Sequence, residues 1–280
     1  MHHNTTFFTF FTLLFITFAS SLVPEIHNIK LDKNNLITIR GEINEQLSSD
    51  IIRKFNKYSL PELYLYITSP GGSVIDGIHI IDQLKALSER KIKVTCIADF
   101  AASMAFAIFQ ACQIRYVTLS SILMQHQMSL GIKGSLYNLN NYMDFIKQID
   151  EDLDIMQSEK LKLDMKEFQT KITNDWWLNG KHIVKHNAAD QIVTVYCDSE
   201  LVDIKEEIKS ISPYLDMKVV FSKCPLSREP LEISINTKNL DKNLDKNLDK
   251  YVREFIESIV PSKFINKYKY EYVSHNYQKN

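Results

Sequence analysis

The pattern of apolar and polar residues between residues 36 and 125 changes period several times, which predicts alternating strands and helices. Short runs rich in β-branched and aromatic residues predict strands at 36–40, 62–68, 91–98, 116–119 and 122–125. Apolar residues at helical spacing predict helices at 45–58, 74–87 and 101–111. This βαβα order is typical of an α/β domain with a largely parallel sheet.

A longer amphipathic segment follows, from Leu136 to about Phe168. Its apolar residues keep helical spacing over the whole segment: Leu139, Tyr142, Met143, Ile146, Ile149, Leu153 and Met156. The pattern therefore predicts one long helix. An amphipathic stripe does not by itself identify its partner, so packing on its own domain and self-assembly both remain open.

The two ends of the chain differ from this middle part. Residues 7–18 are apolar and threonine-rich and precede the small residues Ala19 and Ser20, which predicts a cleaved signal peptide at 1–20. An uncleaved membrane anchor and an apolar element of the fold are the alternatives. We expect a mature domain at 21–195, in the secretory pathway or secreted.

A C-terminal extension is predicted at 196–280, where strand and helix signals weaken. Residues 239–250 are three copies of Asn-Leu-Asp-Lys. If helical, this period stacks Leu240, Leu244 and Leu248 as i, i+4 neighbours. Such charge patterning is typical of a solvated helix without chemistry.

Composition and charge exclude several classes of protein. With 45% hydrophobic and 24% charged residues, the 280-residue chain is an ordinary globular protein rather than a disordered or multi-span membrane protein. Lys and Arg number 33 against 34 Asp and Glu, so no basic field exists to hold a phosphate backbone. We therefore expect no nucleic acid partner.

The four cysteines, Cys96, Cys112, Cys197 and Cys224, have no spacing typical of a zinc site, so no metal is expected. Cys96 lies in a strand-like run and Cys112 in an apolar helix-like run. This placement favours free buried thiols, with a disulfide as the alternative.

Three short segments carry candidate chemistry. Only seven glycines occur, yet Gly71, Gly72 and Gly77 lie together where a strand meets a helix. Bare backbone at a helix N-terminus can stabilise an oxyanion or a phosphate, although a tight turn is the simpler explanation for this segment alone. Ser103 lies among small residues after a strand, and His126 follows another strand. Taken singly, these two residues would be assigned to helix packing and to a structural histidine.

Taken together, the segments resemble the Clp protease proteolytic subunit family. The motifs stand in that family's order over about residues 36–193: Ser-Pro-Gly-Gly at 69–72, Ala-Ala-Ser-Met at 101–104, Met-Gln-His-Gln at 124–127, and Asp175 ahead of a Trp-Leu pair. The resemblance implies a Clp/crotonase-like fold of repeated β-β-α units with a long handle helix. It further implies Ser103 as nucleophile, His126 as base and Asp175 as its orienting carboxylate, with the N–H groups of Gly72 and Met104 as oxyanion donors and no cofactor.

These residue types fit the chemistry independently of the resemblance. A serine hydroxyl is a weak nucleophile until an imidazole takes its proton, and a carboxylate must hold that imidazole in the correct tautomer. A serine that follows a strand and opens a helix lies at the carboxyl end of the sheet, where open α/β sheets bind ligands.

The sequence departs from the family pattern at several positions. Phe100, Ala105 and Met128 replace a smaller or polar residue, a glycine and a proline, and Asn179-Gly180-Lys181 replaces Ser-Ala-x. No catalytic atom is lost, but the bulk of Phe100 could reshape the site. Asp164 and Asp190 remain alternatives to Asp175 as the triad carboxylate.

We therefore expect a serine-type endopeptidase that cleaves peptides or unfolded proteins and assembles into a homo-oligomeric ring. The alternatives are a crotonase-like acyl-CoA enzyme and a catalytically inactive scaffold of the same fold. Whether an ATPase partner exists stays open, because a secreted chain would not meet a cytosolic or organellar ATPase.

Overall fold

A computed structural model of the chain describes residues 27–211, 215–228 and 230–237. The strands are β1 (His27–Leu31), β2 (Leu36–Arg40), β3 (Glu62–Ser69), β4 (Lys93–Ala102), β5 (Ile114–Gln125), β6 (Trp176–Asn179), β7 (Gln191–Cys197), β8 (Lys205–Ile211), β9 (Leu215–Ser222) and β10 (Glu232–Thr237). The helices are α1 (Glu45–Lys57), α2 (Val74–Glu89), α3 (Met104–Ala111), α4 (Leu136–Leu161), α5 (Met165–Ile172), α6 (Gly180–Lys185) and α7 (Ser199–Asp203).

The main sheet has the order β1-β7-β5-β4-β3-β2, and all of these neighbours are parallel. Strand β6 pairs antiparallel with β5 outside this path. Buried side chains of α1, α2 and α3 form one core cluster with the sheet, among them Phe55, Leu84 and Phe106. The prediction of an α/β domain with a largely parallel sheet is confirmed.

Strand β5 changes partners halfway along its length. Tyr116 and Val117 pair with β7, whereas Ile122–Gln125 pair with β6. Between the two halves, Ser121 Oγ donates to the carbonyl of Ala98 over 2.6 Å, next to a register shift in the β4–β5 ladder. The carboxyl half of β5 therefore leads away from β7 and brings the following residue, His126, beside β6.

The prediction of a single helix from Leu136 to about Phe168 is wrong. Lys162 adopts the left-handed conformation (φ 58°, ψ 39°) and ends α4 after Leu161. Asp164 then caps α5 by accepting hydrogen bonds from the N–H groups of Lys166 and Glu167. Apolar residues on both sides of this break keep a helical period, so the pattern could not reveal it.

The preference for free thiols is also wrong, because the cysteines form two disulfides. Cys96 on β4 joins Cys112 at the end of α3, with a Cα–Cα distance of 6.0 Å. Cys197 at the end of β7 joins Cys224, with a Cα–Cα distance of 5.9 Å. Both distances are normal for disulfides. Helix α3 returns along β4, which brings together two cysteines that the sequence places in different elements.

The described part of the C-terminal extension packs on the domain. Strands β8, β9 and β10 form an antiparallel sheet. Leu201 and Cys224 join a second core cluster with Tyr66 and Ile97. The Arg40 guanidinium stacks on the ring of Phe221, 4.3 Å from its centroid.

The predicted signal peptide at 1–20 and the repeats at 239–250 lie outside the described residues. Among the helices that are described, none combines the length and apolarity needed to cross a bilayer.

Candidate active site

Ser103 lies in the sharp turn between β4 and α3. Its backbone has φ 54° and ψ −124°, a conformation that residues other than glycine rarely adopt. Its side chain makes no capping hydrogen bond, and Ser103 is partly exposed between the buried residues Ala102 and Met104. Strain of this kind persists only where the surrounding structure enforces it, and here it occurs directly after the carboxyl end of β4.

The glycine turn between β3 and α2 packs directly against the Ser103 turn. Gly71 has φ 97°, and a Cβ atom there would lie 2.6 Å from the Ala102 carbonyl oxygen and 2.9 Å from the Met104 nitrogen. The backbone of Ile43 holds the turn from the other side, because its N–H donates to the Gly71 carbonyl over 2.7 Å. Only glycine therefore allows these two turns to approach so closely.

Two backbone donors remain unused beside Ser103. Within the described ranges, neither the Gly72 N–H nor the Met104 N–H donates a hydrogen bond. Met104 is the first residue of α3, where the helix supplies no acceptor for the N–H group. Free N–H groups in this position are the donors that an oxyanion requires.

Backbone pairing brings the segments that carry His126 and Asp175 together. In the antiparallel β5–β6 ladder, Met124 pairs with Trp177 and Gln125 with Trp176. The ladder ends with this pair, and His126 and Asp175 are the next residue on each strand. Residues far apart in the sequence therefore flank the end of one short ladder.

The same end of β5 is tied to Ser103. The Ser103 N–H donates to the Met124 carbonyl over 2.9 Å, and Ala102 pairs with Met124 in the β4–β5 ladder. The three predicted residues thus converge on the carboxyl end of β5. The backbone achieves this convergence, because no hydrogen bond joins the three side chains in the segments that the structure describes. His126 is half-buried and Asp175 is exposed.

The two alternative carboxylates have other partners. Asp164 caps α5. Asp190 accepts from the Arg115 guanidinium over 2.6 Å and from the Arg115 backbone N–H over 2.7 Å. Burial acts to raise the pKa of Asp190, but the hydrogen bonds from Arg115 outweigh it and hold the pKa below its usual value. Of the three candidate carboxylates, Asp175 is the one that directly precedes β6, the strand paired with the end of β5.

Trp176 is a structural support that the sequence analysis did not identify. Its ring lies 6.3 Å from that of Phe106 on α3 and 5.9 Å from that of His186, and the Lys171 ammonium is 5.5 Å from its centroid. These contacts anchor the residue next to Asp175. The adjacent tryptophans 176 and 177, the only two in the chain, were the available signal.

The described residues contain no group of three or more His, Cys, Asp or Glu side chains placed to hold a metal ion.

Comparisons with known proteins all give the same family. The model of the family described as Clp protease matches residues 25–195, more than half of the chain. The ATP-dependent Clp protease proteolytic subunit 2 of Pseudomonas aeruginosa is 24% identical over 162 residues, which cover 56% of this chain and 80% of the relative. The ATP-dependent Clp protease proteolytic subunit 1 of Borreliella burgdorferi is 24% identical over 169 residues, covering 59% of this chain and 87% of the relative. Neither comparison supports a crotonase-like enzyme or an inactive scaffold.

Proposed function

We propose that this chain, which belongs to the Clp protease family, is a serine-type endopeptidase that uses Ser103, His126 and Asp175. One observation carries the proposal. The Ser103 turn is hydrogen-bonded to the end of β5, and His126 and Asp175 are the residues that directly flank the last β5–β6 pair, Gln125 and Trp176. The unused N–H groups of Gly72 and Met104 support it, since they complete the set of groups that acyl transfer needs.

The reaction follows from these roles. His126 takes the hydroxyl proton of Ser103 as its oxygen attacks the carbonyl carbon of the peptide bond. The Gly72 and Met104 N–H groups stabilise the negative oxygen that forms, and one such donor contributes about 2.7–4 kcal/mol. The imidazolium, stabilised by Asp175, gives its proton to the leaving amine. Water then attacks the acyl-enzyme, with His126 again as base, and frees Ser103.

Hydrolysis of a fluorescently labelled unfolded protein by the full chain tests the activity. The wild type should release peptides, and Ser103→Ala should lower kcat by a factor on the order of 10⁶, to background. Ser129→Ala is a matched control, because Ser129 is an exposed loop serine outside the site. Equal hydrolysis by wild type and Ser103→Ala would contradict the proposal.

We also propose that the chain forms a homo-oligomer through the first half of α4. Large apolar side chains are exposed there: Leu136, Tyr137, Tyr142, Met143 and Phe145. Ile146, Ile149 and Leu153 of the predicted stripe are half-buried. An exposed apolar surface of this kind is typical of an interaction site.

Sedimentation velocity tests this assembly. The wild type should sediment as a closed oligomer larger than a dimer, and Phe145→Glu should shift it to smaller species, whereas Gln148→Glu on the same helix should not. A fully active wild-type monomer would contradict the assembly but leave the catalytic proposal intact.

We further propose that the chain matures in the secretory pathway as a stand-alone peptidase. Its two disulfides support this compartment, because disulfides persist mainly under oxidising conditions. The relatives are named ATP-dependent. We expect this chain to hydrolyse short or unfolded substrates without an ATPase partner. N-terminal sequencing of protein from a secreting eukaryotic host should find a start near Ser20. An intact Met1 in a soluble intracellular product would contradict export.

A further inference from the structure

A cavity of about 510 Å³ opens beside the candidate active site. Gln127 and Met128, which directly follow His126, form part of its wall. Ile172 and Thr173, shortly before Asp175, form another part. The Gln127 N–H donates to the Ile172 carbonyl over 3.2 Å, so the two segments are joined at the cavity. The cavity therefore begins at the residue that directly follows His126.

The inner wall of the cavity is acidic. Asp154 on α4 is only 5% exposed and lines the cavity, and one of its oxygens accepts from Gln169 Nε2 over 3.1 Å. Its other oxygen accepts no hydrogen bond from the described residues. Asp150, one turn earlier on α4, also lines the cavity.

Within the described residues, neither Asp150 nor Asp154 forms an ion pair. Lys166 is the one cationic residue in the cavity wall, and it is exposed. Burial raises the pKa of both carboxyl groups, and for Asp154 the hydrogen bond from Gln169 opposes this effect only in part. Asp154 is thus a buried carboxylate in the cavity wall with no ion-pair partner among the described residues, and the partly exposed Asp150 lines the same cavity.

We propose that this cavity binds a lysine or arginine side chain of the substrate, with Asp154 and Asp150 as specificity-determining residues. The bound residue would be the one that supplies the scissile carbonyl, because the cavity adjoins His126. Its cationic end would form charge-assisted hydrogen bonds with the carboxylates, and its methylene groups would contact Met128 and Ile172. A neutral or acidic side chain would leave the carboxylates unpaired, which disfavours it. This inference rests on the proposed peptidase function.

Two fluorogenic peptides that differ only in lysine or norleucine at this position test the inference on the full chain. The wild type should favour lysine by about tenfold or more in kcat/KM. Asp154→Asn, which keeps an acceptor for Gln169, should lower this lysine-to-norleucine ratio about tenfold. Asp150→Asn should lower the ratio as well, although Asp150 is partly exposed. Asp152→Asn is the matched control, because Asp152 lies on the same helix, is exposed and does not line the cavity.

A wild-type preference for norleucine, hydrolysis of neither peptide, or a ratio that both variants preserve would overturn the specificity. Labelling by a serine-reactive fluorophosphonate reports separately on the proposed function. A chain that is labelled at Ser103 but prefers norleucine refutes the acidic pocket alone. A chain that is neither labelled nor hydrolyses either peptide refutes both.

Discussion

The Ser103 N–H donates to the carbonyl of Met124 over 2.9 Å, which fixes the turn before α3 to the end of β5. Met124 lies two residues before His126, and it pairs with Trp177, two residues after Asp175. One backbone contact therefore links the segments that carry all three candidate catalytic residues. Their placement depends on strand register rather than on contacts between exposed side chains.

Replacing the candidate carboxylates one at a time tests which of them acts with His126. Asp175→Asn should lower kcat by about 10⁴-fold, because the imidazole would lose its orienting carboxylate. The free energy of unfolding should hardly change, since Asp175 is exposed. Asp164→Asn should keep both its activity and the α5 cap, because asparagine caps helices as well as aspartate. Peptide hydrolysis measures the activity, and urea unfolding measures the stability. If Asp164→Asn alone lost activity, the role of the triad carboxylate would pass from Asp175 to Asp164.

Gly71→Ala should disrupt the contact between the two turns. The added Cβ would approach the Ala102 oxygen and the Met104 nitrogen to under 3 Å, at a φ of 97°. Backbone strain of this kind is worth about 1–3 kcal/mol, and relief of the clash would displace Ser103 or Met104. We expect lower stability in urea and strongly reduced hydrolysis. Gly131→Ala is the control, because a Cβ there meets nothing within 4 Å, and it should change neither stability nor hydrolysis. A Gly71→Ala variant that is as active and as stable as the wild type would refute the close packing of the two turns.

The sequence was sufficient to predict the strands and helices around the site, because their apolar periods are regular and their ends carry turn residues. Strand β2 was predicted with its observed bounds, 36–40, and α1 and α2 within two residues. The break at Lys162 was missed because a left-handed residue leaves the apolar period on both sides intact. Strand β1 was not predicted, and its pairing with β7 depends on a contact between distant segments.

The sequence predicted the local motifs of the candidate site but not the features that depend on contacts between distant segments. Ser103, His126 and the glycine turn are local motifs, so their residues could be named from the sequence. The acidic cavity combines Asp150 and Asp154 of α4 with residues beside His126 and Asp175, and no local pattern joins them. The disulfides likewise depend on how α3 and the C-terminal extension fold back on the sheet.

Removing the Cys197–Cys224 disulfide should destabilise the chain. Replacing both residues by serine frees a loop with a sequence separation of 27, which corresponds to about 3.5 kcal/mol of unfolding free energy. Urea unfolding of this double variant against the wild type measures the loss. Thiol titration of the unreduced wild type in denaturant should find no free thiol, and four titrating thiols would contradict both disulfides.

Asp154→Asn should be more stable than the wild type at neutral pH. Burial raises the folded-state pKa of Asp154 above its unfolded value, so the wild type loses stability as the pH rises through that folded pKa. The asparagine has no charge to bury. The difference in unfolding free energy should therefore be smallest in acid, below the unfolded pKa of about 3.9, and should grow toward neutral pH. A difference in unfolding free energy between the two proteins that is largest in acid would contradict this account.

Labelling of the full chain with a serine-reactive fluorophosphonate, followed by peptide mass spectrometry, tests the triad most directly. We predict a single modified residue, Ser103. Labelling should disappear in Ser103→Ala and fall strongly in His126→Ala, because the hydroxyl proton would lose its acceptor. Undiminished labelling of Ser103→Ala, or modification of a different serine in the wild type, would contradict the assignment of Ser103 as the nucleophile.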